Sequence, residues 1–188
     1  MRTPDGPSPN RCQLAAACDD HVVTEDTGIQ IHLLRHAHAG DPVKWTGHDS
    51  ARPLSDKGHD QAIRLGLFLA ESGFAPDLIM SSPLTRALET ARLVATPLGL
   101  PVVVTDALAS SLSLQGLDRL LSGAGNPRRP LLVGHDPDFS MLAADLSGAA
   151  ELPVRKGTLV RIDTDRPLRT GRGVLRWLLP PDLLTSQD

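Results

Sequence analysis

Short apolar and β-branched runs alternate along this chain with stretches whose apolar residues recur at helical spacing. No other feature restricts the fold as much. Ile29 to Leu34, Asp77 to Met80, Val102 to Thr105 and Pro130 to Val133 read as strands, the second of them buried. A helix is predicted from a cap at Ser55 or Asp56 to about Ser72, with Leu65, Phe68 and Leu69 as its apolar face and Gly73 as its stop. Leu84, Ala87, Leu88, Ala91 and Val94 fall on one side of a second helix, ended by Pro97 and Gly99. Leu114 to Leu121 predicts a short third helix. Asp136 and Pro137 predict the start of a fourth, a capping carboxylate followed by proline at the first helical position. Phe139, Leu142, Ala143 and Leu146 form its core face, and Gly148 closes it. Thr158 to Ile162 and Val174 to Leu179 read as two further strands, joined by the polar loop from Asp163 to Arg172. This order predicts an α/β domain, helices layered on a mostly parallel sheet. Such sheets bind ligands just beyond the carboxyl ends of their strands.

The 188 residues suit one compact domain. Residues 1–28 are rich in Pro, Asp, Asn, Gly and Thr without sustained periodicity and are predicted to be a disordered extension. The folded domain is expected over residues 29–181, with a tail at 182–188. Cys12 and Cys18 both fall in the extension, and with no Cys or paired His nearby they read as free thiols and not as a zinc site. Leu14 to Cys18 faintly resembles a lipoprotein cleavage site. It lacks the preceding apolar run, and Asp5 stands where positive charge is expected. A net charge of -3 gives no general affinity for nucleic acid or an anionic membrane. No stretch approaches the ~20 apolar residues of a membrane span. The expectation is a cytoplasmic protein with neither nucleic acid nor membrane as partner.

The chemistry concentrates at predicted strand ends. The first strand runs into Arg35 and His36, and the fourth into Gly134 and His135. The second ends in Ser81-Ser82-Pro83, with Arg86 one turn into the next helix. A histidine after a strand is commonly structural and a helical arginine commonly solvated. The sheet rule, however, brings Arg35, His36, Arg86 and His135 to one edge. Such a cationic cluster is costly without an anion, and guanidinium forks match phosphate oxygens. Helix starts near Ser82 and Asp136 would add N–H donors. The cluster reads as a site for a phosphoryl dianion with an imidazole in attacking range.

These motifs resemble those of the histidine phosphatase superfamily. Leu34-Arg35-His36-Ala37 is similar to its Arg-His-Gly signature. Ser81-Ser82-Pro83-Leu84-Thr85-Arg86-Ala87-Leu88-Glu89-Thr90 is similar to its second signature, and Val133-Gly134-His135 to its third. Arg52 to Gly58, Arg155 to Thr158 and Gly173 to Trp177 resemble segments of SixA-like phosphohistidine phosphatases. The resemblance spans about Ile29 to Pro180. It implies a phosphoglycerate mutase-like three-layer α/β/α fold without a large cap domain. It also implies His36 as the phosphorylated nucleophile, Arg35, Arg86 and His135 as holders of the phosphoryl oxygens, and no metal or other cofactor.

Two departures stand out. Ala37 replaces the usual Gly, and no Glu follows the third strand, where many members keep a general acid. Asp106, Asp41 and His38 are the candidates for that acid, and a carboxylate would need a raised pKa. A phosphorylated imidazole can leave as neutral imidazole, whereas an alkyl phosphate must expel an alkoxide. The missing acid and the open site therefore point to phosphohistidine on a partner protein. Small phosphomonoesters, or a phosphate-binding module without catalysis, are the alternatives.

Arg52 is a further candidate for substrate binding. Arg52 and Lys57 either line the mouth and steer an acidic partner or stand as solvated loop charges. Trp45 either contacts a docking partner or packs over the sheet edge. Trp177 is expected in the core, and His32 is expected to be structural. Arg128 and Arg129 are expected to be exposed.

Overall fold

The computed structural model describes residues 28–109 and 111–184. Cys12, Cys18, His21 and Ser110, with residues 1–27 of the predicted extension and 185–188 of the predicted tail, lie outside the described residues. Six strands form one sheet: β1 (Gly28–Arg35), β2 (Leu78–Ser81), β3 (Val102–Val104), β4 (Pro130–Gly134), β5 (Leu159–Asp165) and β6 (Val174–Leu179). Their order is β3-β2-β4-β1-β5-β6. The pairs β2–β3, β2–β4 and β1–β4 are parallel, and β5 and β6 extend the sheet antiparallel. The helices are α1 (Asp56–Glu71), α2 (Thr85–Leu98), α3 (Leu114–Gly123) and α4 (Asp138–Ser147).

The period-2 geometry of β1 divides the core. Ile29, Ile31 and Leu33 pack with Leu117, Leu121, Phe139 and Leu142 of α3 and α4. Leu34 faces the other way, onto Leu65 and Leu69 of α1 and Val94 of α2. Because β4 sits between β2 and β1, three parallel strands end side by side. Arg35 pairs with Gly134 and Ser81 with Val133, so His36, His135 and Ser82 follow at adjacent strand ends.

Several local expectations change. On α1, Ser55 is the cap and accepts the Gly58 N–H, but Phe68 is 42% exposed, because the buried face runs through Ala62, Leu65, Gly66 and Leu69. Helix α2 begins at Thr85, beyond Ser82, and buries Arg86 and Thr90 beside Ala87, Ala91 and Val94, while Leu84 and Leu88 are half-buried. Pro97 lies within its last turn, and Gly99 at φ 67° caps it. Helix α4 begins at Asp138 with Pro137 as its N-cap and no side-chain cap bond. Asp136 does not cap, because its carboxylate accepts instead from Ser140 Oγ at 2.7 Å and Arg35 at 3.1 Å. Trp177 is half-buried, since β6 is an edge strand. Among the described residues no helix is long and apolar enough to cross a membrane.

One contact joins the fold to the loop after β1. A Cβ on Gly58 would stand 2.0 Å from the His38 carbonyl oxygen. Gly58→Ala is therefore expected to destabilise the protein by about 1–3 kcal/mol, the cost of overpacking a tight contact. Chemical denaturation checks this, and an unchanged midpoint would mean that the loop yields freely.

Candidate active site

His36 is 5% exposed, and its backbone N–H donates to the Gly134 carbonyl at 3.0 Å, which locks it to the end of β4. Its Nδ1 lies 2.8 Å from the Ala37 carbonyl. A carbonyl only accepts, so Nδ1 carries the proton and Nε2 keeps its lone pair. Arg86 Nε donates to that Nε2 at 3.3 Å. The Ala37 N–H donates to Thr90 Oγ1 at 3.1 Å, and Thr90 Oγ1 donates to the Arg86 carbonyl at 2.7 Å. Thr90 thereby ties the turn carrying Arg86 to the residue after His36.

His135 is half-buried, its ring centroid 5.3 Å from that of His36. Its Nε2 meets Ser82 Oγ at 2.8 Å, and Ser82 Oγ also accepts the Leu84 N–H. Either partner can donate in that pair, the serine hydroxyl or an Nε2–H. Arg35 NH1 donates to the Val154 carbonyl at 2.8 Å and to Asp136. Arg35 Nε and His135 Nδ1 are both buried with no hydrogen-bond partner among the described residues. Such orphans cost about 1–3 kcal/mol each.

The sequence reading missed Asp49 and Lys156 as members of this site. Asp49 stands in a single turn of 3-10 helix, Asp49–Ala51. Its carboxylate binds Arg86 NH2 at 3.1 Å and Arg52 Nε at 2.9 Å, and its carbonyl accepts from Arg86 NH1 at 2.8 Å. The Arg52 hydrogen bond, with Arg86 adding to it, lowers the Asp49 pKa, so this group stays a carboxylate. Arg52 is 7% exposed and also donates to the Ala39 carbonyl; it is a buried brace, not a solvated charge. Lys57 is exposed on the first turn of α1. Lys156 lies in the loop before β5, half-buried, its pKa lowered by burial and then by Arg35, Arg52 and Arg86. Only its place in the Arg155 to Thr158 segment hinted at it.

None of the acid candidates touches His36. Asp41 is exposed and accepts from the Val43 N–H, with Lys156 in electrostatic range. His38 Nδ1 is held 2.6 Å from Ser55 Oγ, the α1 cap. Asp106 opens a short turn after the edge strand β3 and is exposed. Trp45 packs within its own loop, donating to the His48 carbonyl, and is 37% exposed. Among the described residues no cluster of three or more His, Cys, Asp or Glu could hold a metal ion.

Burial lowers the His36 pKa to about 3, with His135, Arg86 and Arg35 adding to the fall. Burial, then Arg86 and Arg35, lowers His135 to about 4. Both imidazoles are neutral at pH 7. Since unfolded histidine titrates at 6.5, the unfolded chain takes up these protons first, and stability present above pH 6.5 is lost as pH falls towards 4. Scanning calorimetry across that window should show a falling thermal midpoint; a flat one would mean that the rings are solvated.

The family model for the histidine phosphatase superfamily, branch 1, matches residues 31–111. An uncharacterized chloroplastic protein of Arabidopsis thaliana is 29% identical over 159 residues, 76% of this chain and 72% of that protein. A 2,3-bisphosphoglycerate-dependent phosphoglycerate mutase of Leifsonia xyli subsp. xyli is 40% identical over 94 residues, 46% of this chain but only 37% of the mutase. The fold is that of the protein histidine phosphatase SixA, solved with tungstate, with a TM-score of 0.72 at 22% identity over 84% of this chain and 100% of that one.

Proposed function

We propose that this chain, whose residues 31–111 match the model of the histidine phosphatase superfamily, branch 1, is a phosphohydrolase of that superfamily that removes the phosphoryl group of phosphohistidine from a partner protein. The observation that carries the reading is the tautomer of His36: Nδ1–H is fixed on the Ala37 carbonyl, and the Nε2 lone pair faces Arg86. In the first step Nε2 attacks phosphorus, the N–P bond forms, and the bond to the leaving group breaks with its electron pair. Arg86 Nε–H passes from Nε2 to a non-bridging oxygen, and Arg35 and His135 hold the others. In the second step water attacks phosphorus and the N–P electron pair returns to His36.

The leaving group decides the substrate. The stretch after β3 carries no Glu to serve as acid, which suits a leaving group that departs neutral. A substrate histidine phosphorylated on one ring nitrogen is protonated on the other and leaves as imidazole. A cytoplasmic setting and an absence of metal or other cofactor belong to the same proposal.

Phosphate release from a phosphohistidine-bearing protein and from a small phosphomonoester, measured side by side, tests it. The expected result is a kcat/KM for the phosphoprotein at least about a hundredfold higher, a gap of roughly 2.7 kcal/mol in transition-state stabilisation. Faster turnover of the ester would assign the site to small phosphomonoesters. Phosphate binding with no turnover of either would make it a binding module.

A further inference from the structure

A second cavity, of about 500 Å³, opens on the α1 side of the sheet, between the C-terminal end of α1 and strands β1, β5 and β6. That size falls within the range of small-molecule sites. The sequence has two Trp, three Phe and no Tyr. Phe68, Phe74 and Trp177 all line this one cavity. His32, 2% exposed, forms part of the same wall, edge-to-face with Phe74 at 4.8 Å and tilted against Trp177 at 5.9 Å.

The His32 ring is half satisfied. Its Nδ1 donates to the Pro130 carbonyl at 3.2 Å, which leaves Nε2 as an acceptor, and Nε2 has no hydrogen bond among the described residues. Burial lowers its pKa to about 4, so it is not an ammonium-like donor at neutral pH. Carboxylates stand just behind the rim, since Asp163 and Asp77 both act on His32. Arg129 and Arg161 line the cavity, and no Asp or Glu does. Arg161 is held by Asp163, which stands outside the cavity, and Arg129 is exposed with no ion pair among the described residues.

We propose that this cavity binds a small planar aromatic anion, its ring against Trp177 and Phe74, its carboxylate at Arg129, and a hydroxyl or N–H donor on His32 Nε2. A purely structural His32 accounts for the Pro130 bond. It does not account for an acceptor left facing the cavity or for Arg129 at the rim with no ion pair among the described residues. The site is separate from the phosphoryl site: His32 stands four residues before His36 on β1, about 13 Å away at the strand rise of ~3.3 Å per residue.

Titration of the ¹⁵N-labelled full chain with 6-hydroxy-2-naphthoate, followed by amide and indole shifts, tests the proposal. Saturable shifts are expected at Gly73, Phe74 and the Trp177 indole, with Gly134 and His135 unmoved. 2-Naphthoate, which lacks the hydroxyl, and naphthalene-2,6-diol, which lacks the carboxylate, should each bind about tenfold more weakly, the loss of one hydrogen bond or charge contact. Removing the hydroxyl from the probe tests His32 without disturbing the fold. Arg129→Ala, at an exposed position, should weaken the parent probe by a similar factor and leave 2,6-diol binding unchanged. Shifts confined to the phosphoryl site, no saturation, or equal affinity for all three probes would overturn the proposal.

Discussion

His36→Ala is expected to lower phosphate release by at least about 10⁴-fold while the protein stays folded, the scale at which removal of a covalent nucleophile is felt. The size follows from what else the site offers. Arg35, Arg86 and His135 would still gather a phosphoryl group, but none of them can take their place as nucleophile. A guanidinium has no free lone pair, and the His135 nitrogen facing Ser82 is already engaged at 2.8 Å. The folded state should survive, because the hydrogen bonds that fix this strand end use the backbone of residue 36 and not its ring. Binding of a tetrahedral oxyanion such as tungstate is therefore expected to persist in the variant. Steady-state phosphate release with circular dichroism and tungstate titration checks all three points. Residual activity within tenfold of the parent would mean that water attacks directly.

Arg86→Ala is expected to lower kcat/KM by about 10²- to 10³-fold, the usual cost of removing one donor aimed at developing charge. Arg86→Lys should recover little, because an ammonium cannot reproduce the three directions in which the guanidinium is used: His36 Nε2, the Asp49 carbonyl and the Asp49 carboxylate. Asp49→Asn separates aiming from charge. It keeps the carbonyl contact and a side-chain acceptor while removing the negative charge, so the loss should be about tenfold and fall on kcat more than on KM. Kinetics of the three variants at saturating and limiting substrate decide the matter. Equal losses in Arg86→Ala and Asp49→Asn would mean that Asp49 takes a direct part in the chemistry.

These variants also mark where sequence reasoning reached and where it stopped. His36 and His135 each follow a short apolar strand, so a local pattern plus the sheet rule places both at one edge. Arg86 was legible for the same reason, one turn into the helix after β2. Asp49 was not. Its contact with Arg86 joins a loop turn to a helix 37 residues on, and no periodicity encodes it. Arg52 reads in sequence either as a substrate-binding charge at the mouth or as a solvated loop charge, and it is buried, because Asp49 and the Ala39 carbonyl satisfy its guanidinium. At Asp136 a sound local rule lost to a tertiary one: the aspartate–proline pair signals a helix cap, but the carboxylate does more beside Arg35 and Ser140. Phe68 fits a core pattern and lines an open cavity on the α1 face instead, whereas Trp177 packs against the core and lines the same cavity.

Covalent catalysis by His36 is read most directly by rapid acid-free quench of the enzyme during turnover of a phosphohistidine-bearing protein, followed by mass spectrometry of its peptides. The expected result is a phosphoryl group on the peptide carrying His36, stable to alkali, lost in acid and absent from His36→Ala. A phosphoryl group on another residue, or none on any peptide while phosphate is being released, would contradict the account.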